Sequence, residues 1–287
     1  MKLVFLLALL WGGSYPLLKV AVETIPPLTA SAARAAFAGA ILLAILGRRG
    51  PELWRMVTGH RELWVQSFFN CILPWTLVSW AATVIESGLV TILNSLSPIF
   101  VFLLTWAVTR HESAPPRKFL GVVLGMAGVL VIVGIDALRG LGVHTAAEVA
   151  CVVGSMSYGI ATVIGRRYDG VSPLFPAAGT VIIAAVVLAP FAWWLEWATA
   201  APPQPSARSV VALLASGFFS TALGFLVYYR LLATLGPIAT SSQAFLRIGI
   251  GVAIGVVFLG ETLRPEAWIG LVLVIAGVVA MVKPPPR

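Results

Sequence analysis

The sequence predicts an all-α integral membrane protein: ten transmembrane helices, arranged as two inverted five-helix repeats, with both termini in the cytoplasm. Three observations predict it. Hydrophobic residues make up 59% of the 287 residues and charged residues only 10%, well below the quarter that is usual in a soluble domain. The apolar residues fall into ten runs of spanning length. Lysine and arginine gather in alternate connections between those runs. A surface this apolar needs lipid as its solvent. Lipid offers no partner to a free backbone group, so each run is expected to be a helix of about 20 residues.

The first run, 3–22, follows Met1-Lys2 directly. Its opening resembles a secretory leader, but no small-residue cleavage site follows and the apolar character continues to Val22, so it is read as a span. The others are 27–47, 63–85, 89–109, 117–136, 146–166, 172–194, 209–231, 238–259 and 265–282. Helix-breaking pairs punctuate them: Pro26-Pro27, Gly50-Pro51, Pro115-Pro116, Pro202-Pro203 and Gly236-Pro237, with Pro173 and Pro265 opening their own helices. With the amino terminus inside, thirteen basic residues fall on the inner segments. They are Lys2, Arg48, Arg49, Arg55, Arg61, Arg110, Arg117, Lys118, Arg166, Arg167, Arg230, Lys283 and Arg287. Only Lys19, Arg139, Arg208 and Arg264, four in all, fall outside. That asymmetry sets the orientation. It also explains the net charge of +8 without nucleic acid as a partner.

Four landmarks recur at a fixed distance. Glu112 and Glu261 lie 149 residues apart, as do Gly128 and Gly277, Thr91 and Thr240, and Asn94 and Gln243. Ser14-Tyr15 is matched by Ser157-Tyr158, and Phe68-Phe69 by Phe218-Phe219. The colinear order gives a first repeat at 1–138 and a second at 144–287. Each holds five spans. Five is odd, so the second repeat enters the membrane from the opposite side. Oppositely facing repeats are the architecture of secondary transporters, with the site near the midplane between them.

These residues carry a resemblance. Trp11-Gly12-Gly13-Ser14-Tyr15, Pro98, Gly260-Glu261 and Gly270 to Gly277 resemble the EamA type of the drug/metabolite transporter superfamily over nearly the whole chain. Within it the chain looks most like the YddG-type aromatic amino-acid exporters. That resemblance implies export of neutral or aromatic amino acids across a bacterial inner (plasma) membrane. The first repeat departs from the pattern by carrying His111-Glu112 in place of Gly-Glu.

Polar residues inside a span are costly and therefore the first site candidates. Thr240, Gln243 and Arg247 share one helix face by their i, i+3, i+7 spacing. Arg247 lies roughly 15 Å into its span at 1.5 Å per residue, where its charge suits a substrate carboxylate; the alternative is an arginine satisfied by backbone carbonyls. Thr91, Asn94 and Pro98 occupy the equivalent face of the fourth span; interhelical hydrogen bonding is the competing role for Asn94. Trp11, Ser14 and Tyr15, with Ser157, Tyr158 and Trp75, are expected around the cavity, offering apolar faces and polar edges. Trp80, Tyr228 and Tyr229 stay open between cavity and packing. Trp193, Trp194 and Trp197 are read as an external aromatic belt. Arg34, flanked by alanines, has an outward, snorkelling position open to it, and Lys19 and Arg230, nearer span ends, are the stronger candidates for one. Gly121-x3-Gly125 and Gly251-x3-Gly255 are read as helix-packing patterns.

Cys71 and Cys151 have no metal or redox spacing, and His60, His111 and His144 are scattered, so neither metal nor cofactor is expected. No Asp or Glu falls deep in a span, which favours uniport over proton coupling. Expected partners are a small-molecule substrate (an amino acid) and the lipid bilayer, with the protein a monomer or weak homo-oligomer. The alternatives are another small metabolite, such as a drug-like compound or nucleotide-sugar, and an integral-membrane enzyme. A drug-like cation calls for a deep carboxylate and a phosphate for more than one deep arginine. An enzyme calls for a base beside Ser14, Ser157 or Ser220, whose spans hold no histidine.

Overall fold

The computed structural model describes residues 2–81, 84–85, 87–109, 116–133, 138, 141–198, 204–250 and 265–282. Glu86, His111-Glu112, Gly251-x3-Gly255 and Gly260-Glu261 lie outside the described residues, as do the ends of the third, fifth and ninth expected spans. Among the described residues the chain is helical, with no strand. Five of its helical stretches are long and apolar enough to cross a membrane: Pro27–Gly59, Val90–Ala107, Thr145–Tyr168, Leu174–Trp197 and Ala207–Ser241. Lys2–Gly12 and Trp268–Val282 are shorter apolar helices.

The helices are α1 (Lys2–Gly12), α2 (Ser14–Ala21), α3 (Pro27–Leu46), α4 (Gly50–Gly59), α5 (Arg61–Ser67), α6 (Leu73–Ala81), α7 (Ser87–Asn94) and α8 (Ser97–Leu104). They continue with α9 (Pro116–Val133), α10 (Thr145–Ile164), α11 (Leu174–Ala192), α12 (Ala207–Ala215), α13 (Gly224–Ser241), α14 (243–250) and α15 (Pro265–Val282). Wide π-helical turns at Phe68–Ile72 and Ser216–Leu223 join α5 to α6 and α12 to α13.

Several expected spans are interrupted, each for a local reason. Pro98 has no N–H to return to Asn94 and crowds its carbonyl. The chain therefore turns at 95–96 between α7 and α8, and Ser95 Oγ caps the Thr91 carbonyl at 2.7 Å. The ninth span breaks at residue 242 without any proline. Here three hydroxyls in a row bond back to the preceding turn: Thr240 to Gly236 O at 2.8 Å, Ser241 to Ile238 O at 2.8 Å and Ser242 to Ala239 O at 2.7 Å. Just upstream Gly236 takes φ 77°, ψ 175°, a conformation open to glycine and poor for other residues, and α13 kinks there before Pro237.

The tightest packing joins α9 to α15. A Cβ on Gly121 would lie 2.7 Å from the Gly277 carbonyl, and one on Gly277 would lie 2.6 Å from the Gly121 carbonyl. One turn pair away the contact recurs: a Cβ on Gly128 would meet Gly270 O at 2.6 Å, and one on Gly270 would meet Gly128 O at 2.8 Å. Small residues let the two backbones touch, which is how helices gain van der Waals contact where lipid removes the hydrophobic drive to associate. Gly125, the second glycine of its pattern, lies under the Phe245 ring.

The belt of tryptophans divides. Trp193 and Trp194 are exposed. Trp197 instead donates from Nε1 to Thr29 Oγ1 at 2.6 Å. Its neighbour Glu196 accepts from the Leu28 and Thr29 backbone N–H groups at 2.8 and 2.7 Å, capping the start of α3 as a carboxylate does best. Trp197 is therefore part of a clamp on α3 rather than a lipid-facing belt residue like its two neighbours.

Candidate functional site

An open cavity of about 150 Å³ lies where these helices converge. The two helix breaks face it. Asn94 ends α7 and Gln243 starts α14; both side chains are buried and both line the cavity. Thr240 and Arg247 join them from the same face of the ninth span. Gln243 Oε1 has no hydrogen-bond partner among the described residues, nor has Nδ2 of Asn70, which enters the cavity from the π-helical turn at Phe68–Ile72. Wide π turns re-aim side chains in this way and recur at functional sites. The matching turn at Ser216–Leu223 supplies Ser220 and Thr221.

An aromatic wall runs along one side. Trp11 stacks near Tyr228, ring centroids 5.6 Å apart, and meets Phe225 edge-on at 6.1 Å; Phe225 meets Trp75 edge-on at 6.4 Å. Trp11 is fixed by donating from Nε1 to Ser220 O at 2.8 Å, while Ser220 Oγ donates to Leu10 O at 2.8 Å. The Trp75 end of the wall carries a cation: Arg34 Cζ sits 4.3 Å from its ring centroid. Arg34 is 9% exposed and lines the cavity. The outward position open to it is thus not the one it takes. The Trp75 face offers cation–π attraction and turns the guanidinium inward.

Of the residues expected at the site, Trp11, Ser14, Trp75, Asn94, Tyr158, Thr240, Gln243 and Arg247 are brought together around the cavity. Ser14 is also bonded back to Trp11 O at 2.7 Å. Three do not belong to the lining. Ser157, one helical step of 100° from Tyr158, donates to Phe69 O at 2.7 Å and ties α10 to the third span. Thr91 contributes its backbone carbonyl as acceptor to Ser95 Oγ, and Pro98 is buried, acting on the backbone of Asn94. The side chain of Tyr15 lies outside the described set. The sequence reading missed Arg34, Asn70, Thr162 and Phe225. A lone Asn or Arg in an apolar run was the available signal.

A hydrogen-bonded plug of buried side chains packs behind Tyr228 and Thr162 of the lining. Tyr228 donates to Thr162 Oγ1 at 3.2 Å, and the hydroxyls of Tyr229 and Thr180 share a hydrogen bond at 2.8 Å. Ser67 Oγ donates to Thr180 O at 2.7 Å, and Tyr168 packs edge-on to Tyr229. Tyr229 belongs to this plug, Tyr228 to both plug and cavity, and Trp80 to neither, being about half exposed. Among the described lining residues two carry a guanidinium and none a carboxylate, which argues against a drug-like cation and meets the arginine count set above for a phosphate-bearing metabolite.

The model of the EamA-like transporter family matches residues 1–134 and again 145–283. The chain belongs to this family. It is a multi-pass membrane transporter. The uncharacterized transporter YvbV of Bacillus subtilis (strain 168) is 27% identical over 95% of this chain and 88% of its own length. The uncharacterized inner membrane transporter YedA of Escherichia coli (strain K12) is 25% identical over 96% and 88%. Protein PagO of Salmonella typhimurium is 27% identical over 80% and 75%. A solved crystal structure superposes with a TM-score of 0.83 at 17% identity, covering 98% of this chain and 96% of that one, which shows a shared fold.

Proposed function

We propose that this transporter exports amino acids, neutral and aromatic ones first, by alternating access through the central cavity. It would sit in a bacterial inner membrane as ten spans in two inverted repeats, both termini cytoplasmic, acting as a monomer or weak homo-oligomer. The observation that carries the substrate reading is the company Arg247 keeps. A cation for a carboxylate, two amides able to accept from an ammonium, and an aromatic wall for a side chain face one space. These are the three parts of an amino acid. The repeat reading draws on the α9–α15 contact. Exchanging each glycine for its mate 149 residues away turns the Gly121–Gly277 contact into the Gly270–Gly128 contact, as a twofold axis requires. Both helix breaks also fall at mates, Asn94 and Gln243. Discontinuous helices at the midplane are a recurring device for holding substrate in transporters.

Purified protein in liposomes tests the function. Radiolabelled phenylalanine should move down its own gradient with no proton gradient imposed. A flux that disappears when a proton gradient is collapsed would reveal a coupling carboxylate, with Glu86 and Glu261 the first to replace. Orientation is tested separately. Single cysteines placed in 110–118 and at the carboxyl terminus should be shielded from an impermeant thiol reagent in intact cells, and cysteines in 196–208 should react. Labelling of the carboxyl terminus from outside would overturn both the orientation and the even number of spans.

A further inference from the structure

Arg247 suffices for one carboxylate, yet the cavity holds a second guanidinium. We propose that Arg34 receives a second anionic group of the substrate, so that the transporter carries dicarboxylic amino acids as well as neutral ones. The inference rests on the amino-acid reading above and deepens it.

The wall gives the argument its geometry. Trp11, Phe225 and Trp75 run in edge and face contact, and the run ends on Arg34, 4.3 Å over Trp75. A substrate side chain laid along this wall meets a cation at its far end. Neutral apolar side chains gain nothing from a charge there. Holding an arginine within a span is costly, and an apolar residue would serve such substrates better. The Trp75 ring beneath Arg34 Cζ restrains the side chain before the substrate arrives, which lowers the ordering cost of binding, and the N–H fork of a guanidinium matches the two oxygens of a carboxylate. Ser31, one turn before Arg34 on α3, lines the same end of the cavity with a hydroxyl.

Proteoliposomes with the membrane potential held at zero by valinomycin and equal potassium test this with radiolabelled L-phenylalanine and L-glutamate. Wild-type protein is expected to carry both. Arg34→Gln should lower the ratio of glutamate to phenylalanine flux by about tenfold, the loss of one charge-assisted hydrogen-bonded contact. Arg34→Lys keeps the charge without the fork and should recover part of that ratio. It also decides the matter if Arg34→Gln fails to insert, since a Lys variant with the wild-type ratio rules out a forked receiver. Wild-type protein that carries phenylalanine but not glutamate overturns this inference alone. Protein that carries neither overturns the amino-acid reading beneath it. Transport of both with a ratio unmoved by Arg34→Gln assigns the anion to another residue and overturns the role of Arg34.

Discussion

Arg247→Gln is expected to abolish most transport of amino acids with a free carboxylate while sparing their esters and amides. Arg247 lines the cavity beside Gln243, one residue set past the break in the ninth span. The substitution keeps a polar side chain and removes the charge. A hydrogen bond to a charged group contributes roughly 1.5–3 kcal/mol, so free-carboxylate substrates should lose about tenfold or more in affinity relative to esterified analogues. The backbone at this position packs independently of the side chain: Arg247 O lies against Gly12, where a Cβ would stand 3.0 Å away. The replacement therefore leaves the α1–α14 approach intact. Competition of radiolabelled phenylalanine by free and by methyl-esterified amino acids measures the effect. A folded Arg247→Gln protein that discriminates between them as the wild type does would remove Arg247 from the carboxylate site. A uniform loss for all substrates, accompanied by a lower melting temperature, would make it a structural arginine.

Much of this arrangement was legible in the residues, and the reasons for the failures are local. The break at Asn94 was not read from the sequence, where 89–109 reads as one span, although Pro98 carries the signal: a missing N–H acts on the residue four back whatever surrounds it. The equivalent break at 242 has no such mark. Thr240, Ser241 and Ser242 produce it by bonding back to the preceding turn, and hydroxyls in an apolar run look the same when they merely face a neighbour. Arg34 escaped the site reading for a different reason. Its flanks, Ala30, Ala32, Ala33, Ala35 and Ala36, left only Ser31, one turn back, to mark the inward face, and the aromatic contact lies 41 residues away in sequence, at Trp75. Ser157 and Tyr158 were read as a pair by analogy with Ser14-Tyr15. Adjacent helical residues diverge by about 100°, and only Tyr158 reaches the cavity. Trp197 was assigned by its position in a cluster, where its indole N–H had a specific acceptor. Gly121 and Gly125 were read as packing sites, whereas Gly128, Gly270 and Gly277 were read only as landmarks of the repeat, and only the structure pairs the glycines at 121, 128, 270 and 277.

Those glycines support the largest stability effect. Gly277→Ala adds one methyl group to the α9–α15 crossing. Its Cβ would stand 2.6 Å from Gly121 O, 2.7 Å from Gly125 N and 3.0 Å from Gly125 Cα. All three neighbours are backbone atoms, so no side chain can rotate away and the helices must separate. Separation would pull the Gly121 and Gly125 face off α15 and strain the Gly128–Gly270 contact further along. Alanine's better helix propensity, worth up to about 1 kcal/mol over glycine, works in the opposite direction but is smaller than the 1–3 kcal/mol typical of overpacking. In lipid the two helices have little other reason to stay together. Gly277→Ala is therefore expected to melt about 5 °C or more below wild type in detergent and to lose transport. Gly59→Ala is the control, because nothing lies within 4 Å of a Cβ at that position; its melting temperature should match or exceed wild type. If Gly277→Ala and Gly59→Ala melt alike, the α9–α15 contact does not hold the two halves of this transporter together, and the pairing of its glycines carries no energetic weight.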